Sequence, residues 1–344
     1  MTASPARRLL RAAAVAAAAA LALAGCATGA ADPDGTGAAP SGDPITVGLT
    51  YTPNIQFAPF YVADELGYFD EAGVNVELRH HGESEGLFTA LEAGTEQLVY
   101  AGGDEIVQAV AGGVPITSVA TIYSTYPAVL IVPADSPIQS ADDLAGHSVG
   151  IPGPFGQTWF ALQALLDRSG LDESQVDVQH IGYTQQAALT TDKVDAVMGF
   201  SNNDAVQFEA SGFPVRIIDA VDPDAPTLVG PALGAATSLV EERGDDVTAV
   251  LEAVERAIEY VAENPEETVE IAAKHIPTLT TDEAKASALA TLEATIPLME
   301  PADGAEPLVN DEDAWAAMCE FMPAAGLIEG EVDCAAAYTN ELLP

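Results

Sequence analysis

The chain has 344 residues, and its 11 Lys or Arg against 53 Asp or Glu give a formal net charge of −42. A chain this acidic does not bind nucleic acid or an anionic membrane surface through its charge. Because 48% of the residues are hydrophobic, the chain can build a sizeable core, and its length suits two domains of ordinary size.

The N-terminus has the pattern of a lipoprotein signal peptide. Arg7, Arg8 and Arg11 precede an apolar stretch that is too short to span a bilayer and that ends in Leu23-Ala24-Gly25-Cys26. This ending resembles the bacterial lipobox, which implies that residues 1–25 are removed and that Cys26 is lipidated. The alternative is an ordinary signal peptide with an incidental cysteine, and the arginines leave Sec and twin-arginine export both open.

Residues 26–44 are predicted to be a flexible tether between a membrane anchor and a folded body. The segment consists mainly of Ala, Gly, Pro, Asp, Thr and Ser without periodicity, so it cannot bury enough surface to offset the entropy lost on ordering. Without the signal peptide, 8 basic and 53 acidic residues remain, a formal charge of −45. We interpret the scattered acids as a solvated surface.

From residue 45 onward, short apolar strands alternate with helical patterns, which predicts largely parallel sheets covered on both faces. The first run has strands at 45–49, 74–78, 98–101, 116–122 and 128–132 and helices at 58–66, 85–93 and 104–111. The pattern restarts with strands at 149–151, 176–180, 196–200 and 215–218 and helices at 157–169, 185–191 and 204–210. A proline-rich crossing then leads to a strand at 233–237 and helices at 247–263, 265–275, 282–295 and 312–324.

Two α/β units followed by a helical tail predict a two-lobed protein with two doubly wound sheets. We expect residues 45–132 and 231–344 to form the first lobe, residues 133–230 to form the second, and two chain segments to form the hinge. Ligands of open α/β sheets bind beyond the carboxyl ends of the strands. Two such lobes facing each other would enclose a cleft that closes on a solute by hinge motion.

Several segments resemble the NMT1/THI5-like substrate-binding proteins across residues 45–344. The clearest is the opening Tyr51-Thr52-Pro53-Asn54-Ile55-Gln56-Phe57-Ala58-Pro59-Phe60-Tyr61-Val62-Ala63. The others are Gly67-Tyr68-Phe69, Ala72-Gly73-Val74, Gly102-Gly103-Asp104, Asp142-Asp143-Leu144-Ala145-Gly146, Asn202-Asn203-Asp204 and Tyr338-Thr339-Asn340-Glu341-Leu342. Together these segments are specific for the family but only weakly specific for a ligand.

The resemblance implies the type II periplasmic-binding-protein fold and an extracytoplasmic lipoprotein that delivers a solute to the permease and ATPase of an ABC importer. It implies a planar heteroaromatic solute, either a hydroxymethylpyrimidine precursor of thiamine or a riboflavin-like ring. The alternatives are a sulfonate or nitrate solute and a pyrimidine synthase. The synthases of this family carry a cysteine-rich iron motif that is missing here. We therefore expect a monomer that is not an enzyme, has no cofactor, and contacts the membrane only through its lipid.

A flat ring calls for aromatic faces and neutral donors and acceptors at its edge. The candidate ligand-binding residues are Asn54, Gln56, Phe57, Glu83, Gly103, Asp104, Tyr123, Tyr126, Phe155, Gly156, Thr158, Trp159, Tyr183, Asn202, Asn203 and Asp204. Alternatives remain for three positions. Asn54 fits a solvated loop amide, Trp159 fits a core residue and Asp204 fits a helix N-cap.

The basic residues, cysteines and histidines limit the ligands and reactions that the sequence supports. The second lobe has only Arg168, Lys193 and Arg216 as basic residues, which favours a neutral or cationic ligand over an anion. Cys319 and Cys334 are either bridged or two buried thiols. No metalloprotease motif, nucleophile elbow or metal-ligating cluster is seen, and the adjacent His80 and His81 are interpreted as surface residues.

Overall fold

The computed structural model describes residues 42–82, 85–301, 304–330 and 332–344, and it places ten strands in two five-stranded sheets. The strands are β1 (Ile45–Leu49), β2 (Val76–His80), β3 (Leu98–Gly102), β4 (Ile116–Thr121), β5 (Ala128–Pro133), β6 (Ser148–Ile151), β7 (Asp177–His180), β8 (Ala196–Phe200), β9 (Val215–Asp219) and β10 (Pro231–Ala236). Both sheets lie within one compact unit, Ala38–Pro344. Signal peptide, Cys26 and most of the tether lie outside the described residues.

The two sheets have the same arrangement of parallel and antiparallel strands. The first has the order β2-β1-β3-β10-β4, and the second has the order β7-β6-β8-β5-β9. In each sheet four strands run in the same direction, and the strand that enters from the other lobe, β10 or β5, runs antiparallel to both of its neighbours. The expected α/β fold with two sheets is confirmed.

Twelve α-helices cover the sheets and form the C-terminal tail of the described chain. They are α1 (Ala58–Glu65), α2 (Tyr68–Glu71), α3 (Thr89–Glu92), α4 (Gly103–Ala111), α5 (Gly156–Ser169), α6 (Gln185–Thr190), α7 (Asp204–Ala210), α8 (Thr237–Glu263), α9 (Pro265–Ala272), α10 (Asp282–Met299), α11 (Glu312–Ala324) and α12 (Cys334–Ala337). None of the helices in the described residues is both long enough and apolar enough to cross a membrane.

The sequence placed the boundary between the lobes several residues too late. Residues 128–132 were expected in the first lobe, but they belong to β5, which pairs with β8 and β9 in the second sheet. The unbroken apolar run of β5 is buried on both faces, as a central strand requires. An apolar run alone does not show which of two sheets will bury it. The position of the boundary between the lobes could therefore not be predicted from the sequence of this strand.

The observed bounds of three other elements differ from the predicted ones. The strand expected at 74–78 is β2 at Val76–His80, because Val74 is buried in the turn that closes α2, where its N–H donates to Phe69 O at 3.0 Å. The helix expected at 85–93 is reduced to α3. The helix expected at 247–263 begins at Thr237, directly after β10, and contains a break at Arg243, whose φ is −139°.

Two crossing segments, 122–127 and 220–230, join the lobes side by side. The backbone N–H groups of Ile122 and Tyr123 donate to Pro231 O at 2.9 and 3.0 Å. Gly230 packs against the first crossing, since a Cβ at that position would lie 3.2 Å from Tyr123 O and 3.3 Å from Pro127 Cδ. This close approach leaves little room for a side chain, and it fixes the spacing of the two strands of the hinge.

Three apolar clusters stabilise the lobes. The first lies between β1, α1 and α8 and contains the fully buried Phe60 and Tyr61. The second extends from the first sheet along the crossings into the second sheet, and Trp315 of α11 is fully buried in it. The third covers the opposite face of the second sheet around Phe208. The C-terminal helices therefore belong to the core of the protein and are not an appendage.

Candidate functional site

The carboxyl ends of β1, β3, β6, β7 and β8 all continue into loops or helix starts that carry the candidate residues. Within each sheet these strands are parallel, so their carboxyl ends share one edge. The crossings leave and enter at the same edges, because Gly102 at the end of β3 is paired with Pro231 at the start of β10. This is the place where open α/β sheets bind ligands.

Three aromatic side chains at this edge are exposed. Tyr51 follows β1 and is 48% exposed, Phe155 follows β6 and is 54% exposed, and Tyr183 follows β7 and is 76% exposed. Tyr51 belongs to the first lobe and the other two to the second. The pKa of Tyr183 is raised, first by partial burial and then by Tyr51 and Glu105 of the first lobe.

A chain of hydrogen bonds fixes the loop that presents Tyr51. The carbonyl of Tyr51 can only accept, so His80 Nδ1, 3.1 Å away, carries the proton and donates. His80 Nε2 then accepts from the Tyr61 hydroxyl at 3.0 Å, and the Tyr61 oxygen accepts from the backbone N–H of Asn54. Burial lowers the pKa of His80, which keeps the ring neutral as this arrangement requires.

A pair of acidic residues begins α4 beside the hinge. Asp104 is fully buried, and its Oδ2 accepts from the Tyr126 hydroxyl at 2.6 Å while its Oδ1 accepts from the Glu105 N–H at 2.8 Å. Glu105 Oε2 accepts from Gly102 N–H at 2.9 Å. Burial raises the pKa of Asp104 well above its usual range, and burial also raises the pKa of Glu105 to about 7.

Buried polar residues connect the lobes behind this edge. Asn202 of the second lobe is fully buried, and its Nδ2 donates to Thr295 Oγ1 of α10 at 2.9 Å. Thr295 in turn donates to Thr291 O at 2.7 Å. Burial raises the pKa of Tyr123 in the first crossing to about 12, and the polar side chains of Tyr100, Thr295 and Asn202 are its neighbours. These contacts attach the C-terminal tail to both lobes.

Several predicted ligand residues have structural roles in the described chain. Phe57 is 5% exposed and makes edge contacts with His80 and Tyr100, and Thr158 is 5% exposed. Trp159 packs against the second apolar cluster, which supports its reading as a core residue. The N–H of Gly103 donates to Gly230 O at 2.9 Å, so this glycine belongs to the hinge.

The predicted amides and Asp204 are mostly engaged with the backbone. Asn54 Oδ1 accepts from Gln56 N–H at 3.1 Å and caps the 3₁₀ helix Ile55–Phe57. Asp204 Oδ2 accepts from Phe200 N–H at 2.8 Å, so it stabilises the turn before α7. Asn54 and Asn203 line a crevice of about 140 Å³ between the lobes that also contains Thr278 and Thr291. Glu83 lies outside the described residues.

Three residues at the site were missing from the prediction: Tyr51, Glu105 and His80. Tyr51 stands in the family-like opening segment, and its exposure follows from its position just beyond β1. His80 and His81 were interpreted as surface residues, which is wrong. His81 is 2% exposed, with its Nε2 2.9 Å from Glu96 Oε1, and His80 is half-buried. No pattern in the sequence marks a histidine as buried.

The lysines and arginines of residues 45–344 have other partners or lie away from the candidate site. Arg79, Arg243, Arg256, Lys274 and Lys285 form ion pairs with acidic side chains. Arg168 and Arg216 donate to backbone carbonyls. Lys193 lies in the turn before β8, at the end of that strand opposite to the candidate site. Within the described residues, no lysine or arginine forms an ion pair with Asp104 or Glu105.

One group in the described chain has the composition of a metal site, although the sequence suggested none. Asp64, Glu65 and His275 bring three potential ligand atoms within 4.8 Å of one another. His275 lies more than 200 positions after Asp64 and Glu65, so no local sequence motif indicates this group. Glu65 is already paired with Lys274, and the His275 ring stacks on Tyr61 at 4.5 Å, so both side chains have other partners.

Cys319 and Cys334 are bonded to each other, with their Cα atoms 5.9 Å apart. The bond attaches α12 to α11, and the stacking of Trp315 on Tyr338 at 5.2 Å holds the same region. Of the two possibilities left open by the sequence, the structure has the bridged one. The bond lies in the tail and not at the candidate site.

The sequence profile described as NMT1/THI5 like matches residues 54–268. The chain belongs to this family. It is 32% identical over 315 residues, 89% of this chain and 88% of the relative, to the riboflavin-binding protein RibY of Chloroflexus aurantiacus. It is 26% identical to a formylaminopyrimidine-binding protein of Halalkalibacterium halodurans over 66% of this chain and 69% of the relative.

The fold of this NMT1/THI5-like chain is also that of solved periplasmic binding proteins. The aliphatic sulphonate-binding protein SsuA of Escherichia coli superposes with a TM-score of 0.68 at 18% identity, covering 86% of this chain and 92% of SsuA. Weaker sequence matches include 4-amino-5-hydroxymethyl-2-methylpyrimidine phosphate synthases. The predicted family, the fold and the substrate-binding role are thereby confirmed.

Proposed function

We propose that this protein captures a planar heteroaromatic solute, with riboflavin as the first candidate, between aromatic rings contributed by both lobes. The observation that carries the proposal is the exposure of Tyr51, Phe155 and Tyr183 at the carboxyl ends of strands in facing lobes. Among the described residues, the only other large hydrophobic side chain with comparable exposure is Ile217 in the edge strand β9. Exposed aromatic side chains grouped at one place are typical of a binding site.

The geometry of aromatic pairing favours a flat ring. Aromatic side chains prefer offset-stacked or edge-to-face contacts with another ring, and each such pair contributes about 0.5–1.5 kcal/mol beyond the burial of its surface. Rings on both lobes allow one guest to be contacted from both sides when the lobes close. The riboflavin-binding and formylaminopyrimidine-binding relatives support this class of ligand, with the larger ring system favoured by the more extensive similarity.

The charge of the site argues against an anionic solute. A sulfonate or phosphate site usually has an arginine fork, or else helix N-termini with free N–H groups. Seven of the eight lysines and arginines of the body have carboxylate or carbonyl partners away from the aromatic rings, and the eighth lies at the opposite end of β8. The N-terminus of α4 carries two carboxyl groups of its own.

Delivery to an ABC importer and anchoring through Cys26 complete the proposal. The binding-protein relatives and the lipobox-like ending at Leu23-Ala24-Gly25-Cys26 support an extracytoplasmic lipoprotein that acts as a monomer. The protein would bind and release its solute without chemical conversion. The synthase-type cysteine-rich motif has no counterpart here, since the only cysteines are Cys26, Cys319 and Cys334.

A thermal-shift screen of the purified protein tests the ligand. The probes are riboflavin, a formylaminopyrimidine, thiamine, taurine and nitrate. A ligand present at 100 times its dissociation constant stabilises the folded state by about 2.7 kcal/mol, which raises the midpoint by several degrees. We expect riboflavin to stabilise the protein most. Stabilisation by taurine or nitrate with none by the ring compounds would overturn the proposal.

The anchor is tested separately in cells. We expect the wild-type protein to incorporate a labelled fatty acid and to sediment with membranes, and Cys26→Ala to lose both properties. A membrane-bound, labelled Cys26→Ala protein would contradict the anchoring proposal without affecting the ligand proposal.

A further inference from the structure

Glu105 occupies the point where the first lobe, the hinge and the second lobe meet. It is the third residue of α4, directly after the carboxyl end of β3. Its Oε2 accepts the Gly102 N–H at 2.9 Å, an interaction that caps the helix and fixes the direction of the side chain. Only one of its two carboxyl oxygens is used in this way.

The second oxygen of Glu105 is turned towards the other lobe. A Cβ placed on Gly156, the first residue of α5, would lie 3.5 Å from Glu105 Oε1, and Gly156 has a φ of +69° that disfavours any other residue. No donor among the described residues is hydrogen-bonded to this oxygen. Gly156 directly follows the exposed Phe155 in the chain, so Glu105 Oε1 lies beside the loop that carries this aromatic ring.

Among the described residues, no positive charge beside Glu105 neutralises its carboxylate. On its own helix it faces Asp104, from the first crossing it faces the Tyr126 hydroxyl that donates to Asp104, and from the second lobe it faces Tyr183. No lysine or arginine in the described part of the chain pairs with it. A half-buried carboxyl group with an unused oxygen gains most from a donor that a ligand brings.

We propose that Glu105 determines the specificity of the site by accepting a hydrogen bond from a ring N–H or ring amine of the solute. This inference rests on the proposed capture of a planar ring. The imide of an isoalloxazine and the amino group of an aminopyrimidine both provide such a donor, and the ring stacks on the neighbouring aromatic side chains.

The test compares wild type with Glu105→Gln in titrations followed by quenching of flavin fluorescence. Glutamine keeps the size of the side chain and an oxygen that accepts the Gly102 N–H, so the helix cap is retained. The probes are riboflavin and 3-methylriboflavin, in which a methyl group replaces the hydrogen of the imide N–H. Glu77→Gln removes one charge from an exposed residue of β2 and is the matched control.

We expect Glu105→Gln to weaken riboflavin binding about 10- to 100-fold, the range for a hydrogen bond to a charged group, while Glu77→Gln leaves it unchanged. In wild type, 3-methylriboflavin should bind more weakly than riboflavin by a similar factor, and this difference should shrink in Glu105→Gln.

The outcomes separate the two proposals. If wild type binds riboflavin but Glu105→Gln binds it equally well, or if wild type does not discriminate against the methylated compound, the role of Glu105 is refuted and ring capture stands. If wild type binds none of the ring compounds while taurine stabilises it, both proposals fail. A lowered thermal midpoint of Glu105→Gln together with full riboflavin affinity would assign Glu105 to helix capping alone.

Discussion

Replacing Tyr183 by alanine tests the role of the aromatic rings most sharply, because most of this side chain is exposed and contributes little to the stability of the free protein. Tyr183 is 76% exposed and follows β7 in the second lobe. A surface substitution of this kind changes the free energy of unfolding by about 0.5 kcal/mol or less. Any large effect on ligand affinity must therefore come from lost contacts with the ligand.

The size of the effect follows from the exposed surface. A tyrosine side chain offers roughly 200 Å² of surface, so 76% exposure leaves about 150 Å², of which a stacked ring covers about half. Burial of about 75 Å² contributes about 2 kcal/mol, and the aromatic pairing adds up to about 1 kcal/mol. Tyr183→Ala should therefore weaken riboflavin binding by 2–3 kcal/mol, about 30- to 150-fold.

Isothermal titration calorimetry with riboflavin measures this loss, and circular dichroism checks that the fold is intact. Tyr183→Phe keeps the ring and should bind within about 3-fold of wild type, because the stacking face is unchanged. Ile217→Ala removes a similarly exposed apolar side chain from the edge strand β9 and should leave the affinity unchanged. Equal affinities of wild type and Tyr183→Ala would refute stacking on Tyr183.

Three further results are expected. Replacing Cys319 and Cys334 by serine opens a 15-residue loop and should lower the stability by about 3 kcal/mol, seen as a lower thermal midpoint with unchanged riboflavin affinity. Thr295→Val leaves the buried amide nitrogen of Asn202 without its 2.9 Å partner and should cost about 1–3 kcal/mol in denaturant unfolding; an unchanged midpoint would show that the contact contributes nothing. Burial raises the pKa of Glu105 to about 7, and the ionised carboxylate accepts a donor from the ligand more strongly than the protonated acid does. Riboflavin affinity should therefore fall as the pH drops from 8 towards 6.5, by at most about tenfold per pH unit, and the Glu105→Gln profile should be flat.

A second titratable group, His80, limits the pH range in which the effect of Glu105 can be measured alone. His80 has its pKa lowered from 6.5 by burial, so it becomes charged only below that value. Its protonation would remove the acceptor for the Tyr61 hydroxyl and loosen the Tyr51 loop. A fall in affinity confined to lower pH and present in Glu105→Gln would therefore point to His80 and not to Glu105.

The repeating part of the fold was readable from the sequence because each strand and helix buries a periodic apolar face. β1, β8, α7 and α11 have the predicted bounds. The assignment of β5 to a lobe was not readable, since its apolar run suits the centre of either sheet, and only pairing with β8 and β9 decides it. The start of α8 was missed because β10 passes into it without a loop.

The candidate site was predictable in place but only partly in its residues. Motif position identified the loops after β1, β3, β6, β7 and β8, whereas the direction of each side chain depends on packing. Tyr123 and Trp159 turn inwards, while Phe155 and Tyr183 stay exposed. Asp104 was selected and Glu105 was not, because adjacent acids at a helix start look equivalent until one of them is hydrogen-bonded to Tyr126.

Contacts between distant parts of the chain account for the remaining omissions. The bond between Asn202 and Thr295 joins residues 93 positions apart, and the stacking of Tyr61 on His275 joins the first lobe's opening helix to the tail. Neither pair forms a local motif, so periodicity and spacing carry no information about them. They determine how the tail holds the lobes, which is a property of the tertiary structure alone.

Calorimetric titration of the purified protein with riboflavin, followed by mass spectrometry of the ligand released on denaturation, bears most directly on the whole account. One riboflavin should bind per chain, and its mass should be unchanged after prolonged incubation. A protein that takes up no flavin or pyrimidine, or that returns a chemically altered molecule, would contradict the view that these two lobes only hold and hand over a flat ring.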